Sequence, residues 1–205
     1  MHSPKDVLDF WFGEPAKDPE ALKAKLKRWY QGGPEVDRAI VTQFGDDVRD
    51  ALGGGRDAWL AEPKGWLALL IVLDQFTRNV FRNDPKTHDG DPRARELARA
   101  ALERGETRKL PLEERNFALM PFCHSENLED QERFGVEIRA LVADAPDALK
   151  PLFSLGVEQS DKYTDIIKRF GRFPHRNDLL GRTMTVSEME FLVDWEKKRA
   201  PRGAT

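Results

Sequence analysis

Three short stretches hold most of the side chains in this sequence that could carry chemistry. The first, Leu67 to Arg82, ends with Asp74, Gln75, Arg78, Asn79 and Arg82. At about 100° per residue on a helix these five fall within an arc of roughly 140°, which also carries Leu67, Ala68 and Ile71. An apolar face thus turns polar partway along. It does so without the Lys and Glu that usually keep a solvated face hydrated. Asp74 and Arg78, at i and i+4, can form a charge-assisted pair. Two plainer readings stand beside a functional one: the helix emerges into solvent, or its polar groups only tie helices together.

The second stretch runs from Met120 to Gln131. Pro121 is expected to interrupt a helix, which leaves His124, Ser125 and Glu126 at a turn or a new helix start, with Ser125 as a cap. A helix starting that early places His124, Asn127 and Gln131 on one face. His124 is a candidate general acid/base, although a lone histidine is more often structural. Cys123 beside it does not make a Cys–His pair, because neighbours on a helix point about 100° apart.

The third stretch, Phe170 to Arg182, ends a helix at Gly171 and turns at Pro174. It concentrates Arg172, His175, Arg176, Asn177 and Arg182 in an otherwise acidic chain. Guanidinium groups in a rigid turn can fork onto a carboxylate or phosphate. Equally, they can cap helix ends and pair with Asp or Glu from elsewhere.

Taken together, the expected binding set is Asp74, Gln75, Arg78, Asn79, His124, Gln131, Arg172, His175, Arg176, Asn177 and Arg182. The first reading is a polar pocket for an anionic small molecule or an acidic peptide end. The alternative is a small-molecule hydrolase or transferase, with His124 or His175 as acid/base and Asp74 or Glu126 orienting the ring. In a third reading the motifs are purely structural. The histidines at 2, 88, 124 and 175 show no ligand spacing and there is one cysteine, so no metal is expected. No Gly-rich cradle or nucleophile elbow points to a cofactor.

The elements that must position these groups are helices. Apolar residues recur at three- and four-residue spacing with almost no alternation, so the fold class is all-α. Composition is uniform, and 205 residues fit a single domain, residues 1–199, with a loose tail at 200–205. Expected helices include an aromatic first one through Val7, Phe10, Trp11 and Phe12, and a buried one from about Pro63 to Arg82. Another spans Leu149 to Phe170, and a last one starts at Thr185 with a capping box to Glu188. A 34% charged content, a net charge of -3 and no long apolar run argue against nucleic acid and membrane partners. The start of the chain lacks the pattern of a secretory signal, which makes the cytoplasm the expected compartment. Oligomeric state is left open.

Four segments in order carry a family resemblance: Val7-Leu8-Asp9-Phe10-Trp11-Phe12-Gly13; Leu73 to Asn79; Pro121 to Glu126; and Phe170 to Asn177. Together they resemble a largely bacterial family known as domain of unknown function nine-two-four. The resemblance covers nearly the whole chain and implies helical hairpins stacked as in tetratricopeptide-repeat-like folds, with no activity attached. The family pattern usually has Pro at the position of Thr77, Glu at that of Cys123 and His at that of Tyr163. The last difference removes one candidate acid/base group.

Overall fold

The computed structural model describes residues 1–199, with side chains through Trp195, so the tail expected at 200–205 lies outside the described residues. No strand occurs among them. The chain folds as α1 (Pro4–Phe12), α2 (Pro19–Gln31), α3 (Gly33–Leu52), α4 (Gly65–Ile71), a π-turn (Val72–Phe76) and α5 (Thr77–Val80). There follow α6 (Asp91–Glu103), α7 (Leu112–Cys123), α8 (Leu128–Asp144), α9 (Lys150–Phe170) and α10 (Val186–Arg199). Among the described residues no helix is long and apolar enough to cross a membrane.

Every residue of α4 is buried, as a helix apolar on all sides requires. It runs through the centre against α1, α6 and α7, while the π-turn that continues it packs on α3. Two glycines permit this. A Cβ at Gly65 would stand 1.7 Å from the carbonyl oxygen of Trp59, and one at Gly90 would stand 2.2 Å from that of Leu73. The second close approach presses the start of α6 onto the π-turn and so brings Asp91 beside Arg78.

The aromatic α1 docks as its composition demands. Trp11 meets Phe76 and Phe117 edge-on, with centroids 5.5 and 5.4 Å apart. Arg28 and Trp29 of α2 donate to the carbonyls of Phe10 and Trp11, occupying oxygens that the end of α1 leaves open. Glycines again let α8 and α9 pack closely, since a Cβ at Gly156 would touch Ile138 at 3.0 Å and one at Gly135 would touch Ser160 at 3.0 Å.

Several sequence expectations need correction. Pro121 does not interrupt its helix: α7 carries it in the last turn and continues to Cys123. Its missing N–H removes one bond near a helix end, and a run of buried neighbours from Phe117 to Cys123 holds that turn in the core. The cap of α8 is Asn127 rather than Ser125, because the Asn127 side chain reaches the amides of Glu129 at 2.8 Å and Asp130 at 3.3 Å. The last capping box forms as expected, with Glu188 accepting from the Thr185 amide at 2.7 Å and its own amide donating back to Thr185 Oγ1 at 3.3 Å.

Candidate functional site: a buried aspartate and a histidine at the floor of a cavity

The central helix does not keep its regular winding. From Val72 to Phe76 it widens into a π-turn, a feature that recurs at functional sites. The Thr77 hydroxyl donates to the Val72 carbonyl at 3.0 Å within this wider turn. The polar arc expected from a uniform helix is shared between two sides of the helix. Asn79 and Arg82 turn toward α3, where both bind Asp37 at 2.7 and 2.6 Å. Asp74 and Arg78 face the junction of α6 and α7 instead.

Asp74 is fully buried (0% exposed). Its Oδ1 lies 2.8 Å from His124 Nδ1 and accepts from Arg78 Nη2 at 3.3 Å, while Oδ2 accepts from Gln75 Nε2 at 2.6 Å. Burial alone pushes the carboxyl up, but the charges of His124 and Arg78 and these hydrogen bonds outweigh it and hold Asp74 well below the usual carboxylate range. Arg78 is fixed in turn by Asp91 at 2.8 Å and by the Thr87 carbonyl at 3.2 Å.

His124 sits just past the end of α7, its amide bonded to the Met120 carbonyl at 3.0 Å. Its own carbonyl accepts from Arg176 Nη2 at 2.9 Å. All three polar stretches therefore meet around this histidine. Glu126 joins the second and third, accepting from the Phe173 amide at 2.9 Å and from Arg182 at 2.7 and 3.0 Å.

Not every expected residue faces the same space. Gln131 is buried and spends its Nε2 on the carbonyls of Phe122, Cys123 and Ser125, shaping the turn behind His124. Asn177 is buried as well. The positive loop is largely neutralised: Arg172 pairs with Glu188 and Arg182 with Glu126. His175 is exposed and its ring stacks parallel to Trp195 at 5.8 Å. Arg176 stands over Phe173 at 4.6 Å and makes no ion pair with a carboxylate among the described residues.

A cavity of about 630 Å³ opens over His124, whose side chain is 22% exposed. Its walls come from α2 (Lys23, Leu26, Lys27, Tyr30), α7 (Asn116, Met120, Cys123), Phe134 of α8, and α9 from Leu152 to Tyr163. Tyr30 as a whole residue is 57% exposed, and its hydroxyl, set against α7, accepts from Asn116 Nδ2 at 3.4 Å. Burial of the hydroxyl pushes its pKa up to about 12, so it remains a hydrogen-bond donor at neutral pH. Burial, reinforced by the charge of Asp74, likewise pushes the Cys123 thiol up to about 12. No cluster of three or more His, Cys, Asp or Glu side chains suited to a metal occurs among the described residues.

The sequence did not single out Lys23, Lys27, Tyr30 or Asn116. Their spacing on amphipathic helices is that of any half-solvated face. Only the placement of α2 beside α7 gives them a common cavity.

The chain is thus a single all-α domain with a buried Asp–His pair beneath an open cavity. The chain belongs to the family described as bacterial protein of unknown function, DUF924, which it matches over residues 7–195. It is similar to a solved structure of a protein of unknown function from Agrobacterium tumefaciens, with 32% identity and a TM-score of 0.74. That similarity covers 92% of this chain and 96% of the other. No curated protein matches it.

Proposed function

We propose that this protein is a general acid/base enzyme, a hydrolase or transferase acting on a small anionic molecule held in the cavity over His124. The observation that carries the reading is the pairing of a fully buried carboxylate with His124 Nδ1 at 2.8 Å, in a histidine that also lines an open cavity. A carboxylate can only accept, so Nδ1 carries a proton, and in the neutral ring Nε2 is then the base. In the reaction, Nε2 takes a proton from water or a substrate hydroxyl as that oxygen attacks. Asp74 offsets the charge of the imidazolium, which then returns the proton to the leaving group. The nucleophile is water or a second substrate, since the Cys123 thiol stays protonated.

An anionic substrate is supported by the lining. Among the described residues it contains Lys23, Lys27 and His124 but no Asp or Glu, in a chain with 36 acidic residues. Three other clefts on the molecule each include acidic side chains. This lining, rather than the arginine loop, supports the preference for an anion. Turnover of a panel of carboxylic and phosphoric esters and amides, with His124→Asn and Asp74→Asn in parallel, tests the proposal. Loss of turnover in both variants with unchanged circular dichroism is expected. Turnover that survives both substitutions overturns it.

A further inference from the structure

The cavity has two chemically different ends, and their separation sets the kind of molecule it takes. Lys25 pairs with Glu113 in the first turn of α7 at 2.9 Å, and the Tyr30 hydroxyl meets Asn116 further along. Helix α2 therefore runs beside α7 in the same direction. Lys23 and Lys27 flank Lys25 and so lie level with the start of α7, whereas His124 lies past its end. From Glu113 to His124 the helix rises about 16 Å.

Between the two ends the lining is mainly apolar: Leu26, Met120 and Phe153, with Leu152 and Leu155 on α9 toward the lysine end. Along α9 the lining changes from these residues to Gln159 and Tyr163. Tyr163 packs on Phe173 at 4.8 Å, and Phe173 is next to the arginine that holds the His124 carbonyl, so the polar end is the His124 end. Lys23 pairs only with exposed Glu20, and Lys27 has no ion-pair partner among the described residues. Cationic charge at this mouth is therefore available to a ligand.

From this layout we infer that the substrate is a rod-shaped amphipathic anion. Its carboxylate or phosphate rests on Lys23 and Lys27, an aliphatic or aryl spacer crosses the apolar wall, and the reacting group lies at the opposite end beside His124. The inference rests on the proposed acid/base role of His124 for the identity of the reacting end, but the anchor at the lysine end can be tested without turnover. A void of about 630 Å³ accommodates a molecule of this size.

Calorimetric titration of the His124→Asn variant separates the two questions, using three esters of known length and charge. Monomethyl sebacate has the right length and one negative end, dimethyl sebacate has the length without the charge, and monomethyl succinate has the charge without the length. Monomethyl sebacate is expected to bind at least about tenfold more tightly than either of the others, a difference of about 1.4 kcal/mol. Lys23→Glu combined with Lys27→Glu, at two exposed positions, should abolish its advantage over the dimethyl ester, and Met120→Trp, which fills the cavity, should remove binding. Equal affinity for the mono- and dimethyl esters, no binding of monomethyl sebacate, or binding untouched by Met120→Trp overturns the inference. Loss of the acid/base role alone would show instead as turnover that persists in His124→Asn while the preference for monomethyl sebacate stands.

Discussion

His124 Nδ1 lies 2.8 Å from Asp74 Oδ1, across 50 positions of sequence, and the carboxylate it meets has no exposed surface. The contact joins the end of α7 to the π-turn of the central helix, and Gln75 and Arg78 complete the carboxylate's shell. Removing Asp74 leaves Arg78 and His124 short of a partner in a nearly closed setting. Asp74→Ala is expected to cost about 3 to 5 kcal/mol, whereas Asp74→Asn keeps the shape and should cost less. Urea denaturation of both variants checks this, and a loss below about 1 kcal/mol for Asp74→Ala would count the site as weakly coupled to folding.

Acid should destabilise the protein through two carboxylates. The charges and hydrogen bonds around Asp74 depress it against the effect of burial, and the hydrogen bond from Arg172, with help from Thr185, depresses Glu188. A carboxyl whose folded pKa lies below its unfolded value contributes stability above the unfolded value and loses it as pH falls through the folded one. Tm is therefore expected to hold through neutral pH and to fall below about pH 4, where unfolded carboxyls begin to take up protons. Asp74→Asn and Glu188→Gln should each flatten that acid limb, as read by thermal unfolding across pH. An unchanged limb in both variants would assign the acid sensitivity to other groups.

Cys123 should be chemically silent in the folded protein. It is buried and its thiol is pushed up to about 12, so almost no thiolate is present at pH 8. Labelling with a thiol-specific disulfide reagent is expected to proceed only in denaturant. Rapid labelling of the native protein would show that the cavity wall opens.

Gly65 is required by contact rather than by backbone conformation. A methyl group there would stand 1.7 Å from the Trp59 oxygen, a backbone atom that cannot swing away. Gly65→Ala is expected to destabilise by about 2 kcal/mol or more, in spite of the gain in helix propensity. Thermal unfolding beside a control at exposed Gly54, where nothing lies within 4 Å but φ is +83°, separates collision from backbone strain. A Gly65→Ala protein as stable as the parent would mean that the 3-10 turn at Asp57–Ala61 yields easily.

Much of the scaffold is legible in the sequence alone. The apolar run from Trp66 to Leu73 marks a central helix, and Gly171 and the Thr185 box mark helix ends where they are found. Asp74, Arg78 and His124 are legible as candidates by residue type. The π-turn is not legible, because periodicity presumes uniform winding, and neither is the carboxylate each side chain meets: Asn79 and Arg82 bind Asp37, whereas Arg78 binds Asp74 and Asp91. Nor are Lys23, Tyr30 and Asn116, which look like ordinary residues of a half-solvated helix until a second helix lies opposite.

The sequence by itself determined that the chain is helical, where its core helix runs and which polar groups stand out from solvated helix faces. These are properties of spacing, and a backbone with 3.6 residues per turn converts spacing into a face wherever winding is regular. Only the tertiary structure decided that Asp74 pairs with His124, that Arg172 and Arg182 are spent on Glu188 and Glu126, and that α2 closes a cavity that, among the described residues, lacks carboxylates. Those outcomes depend on how side chains far apart along the chain fill common space. Packing of whole helices sets that arrangement, and no local pattern encodes it.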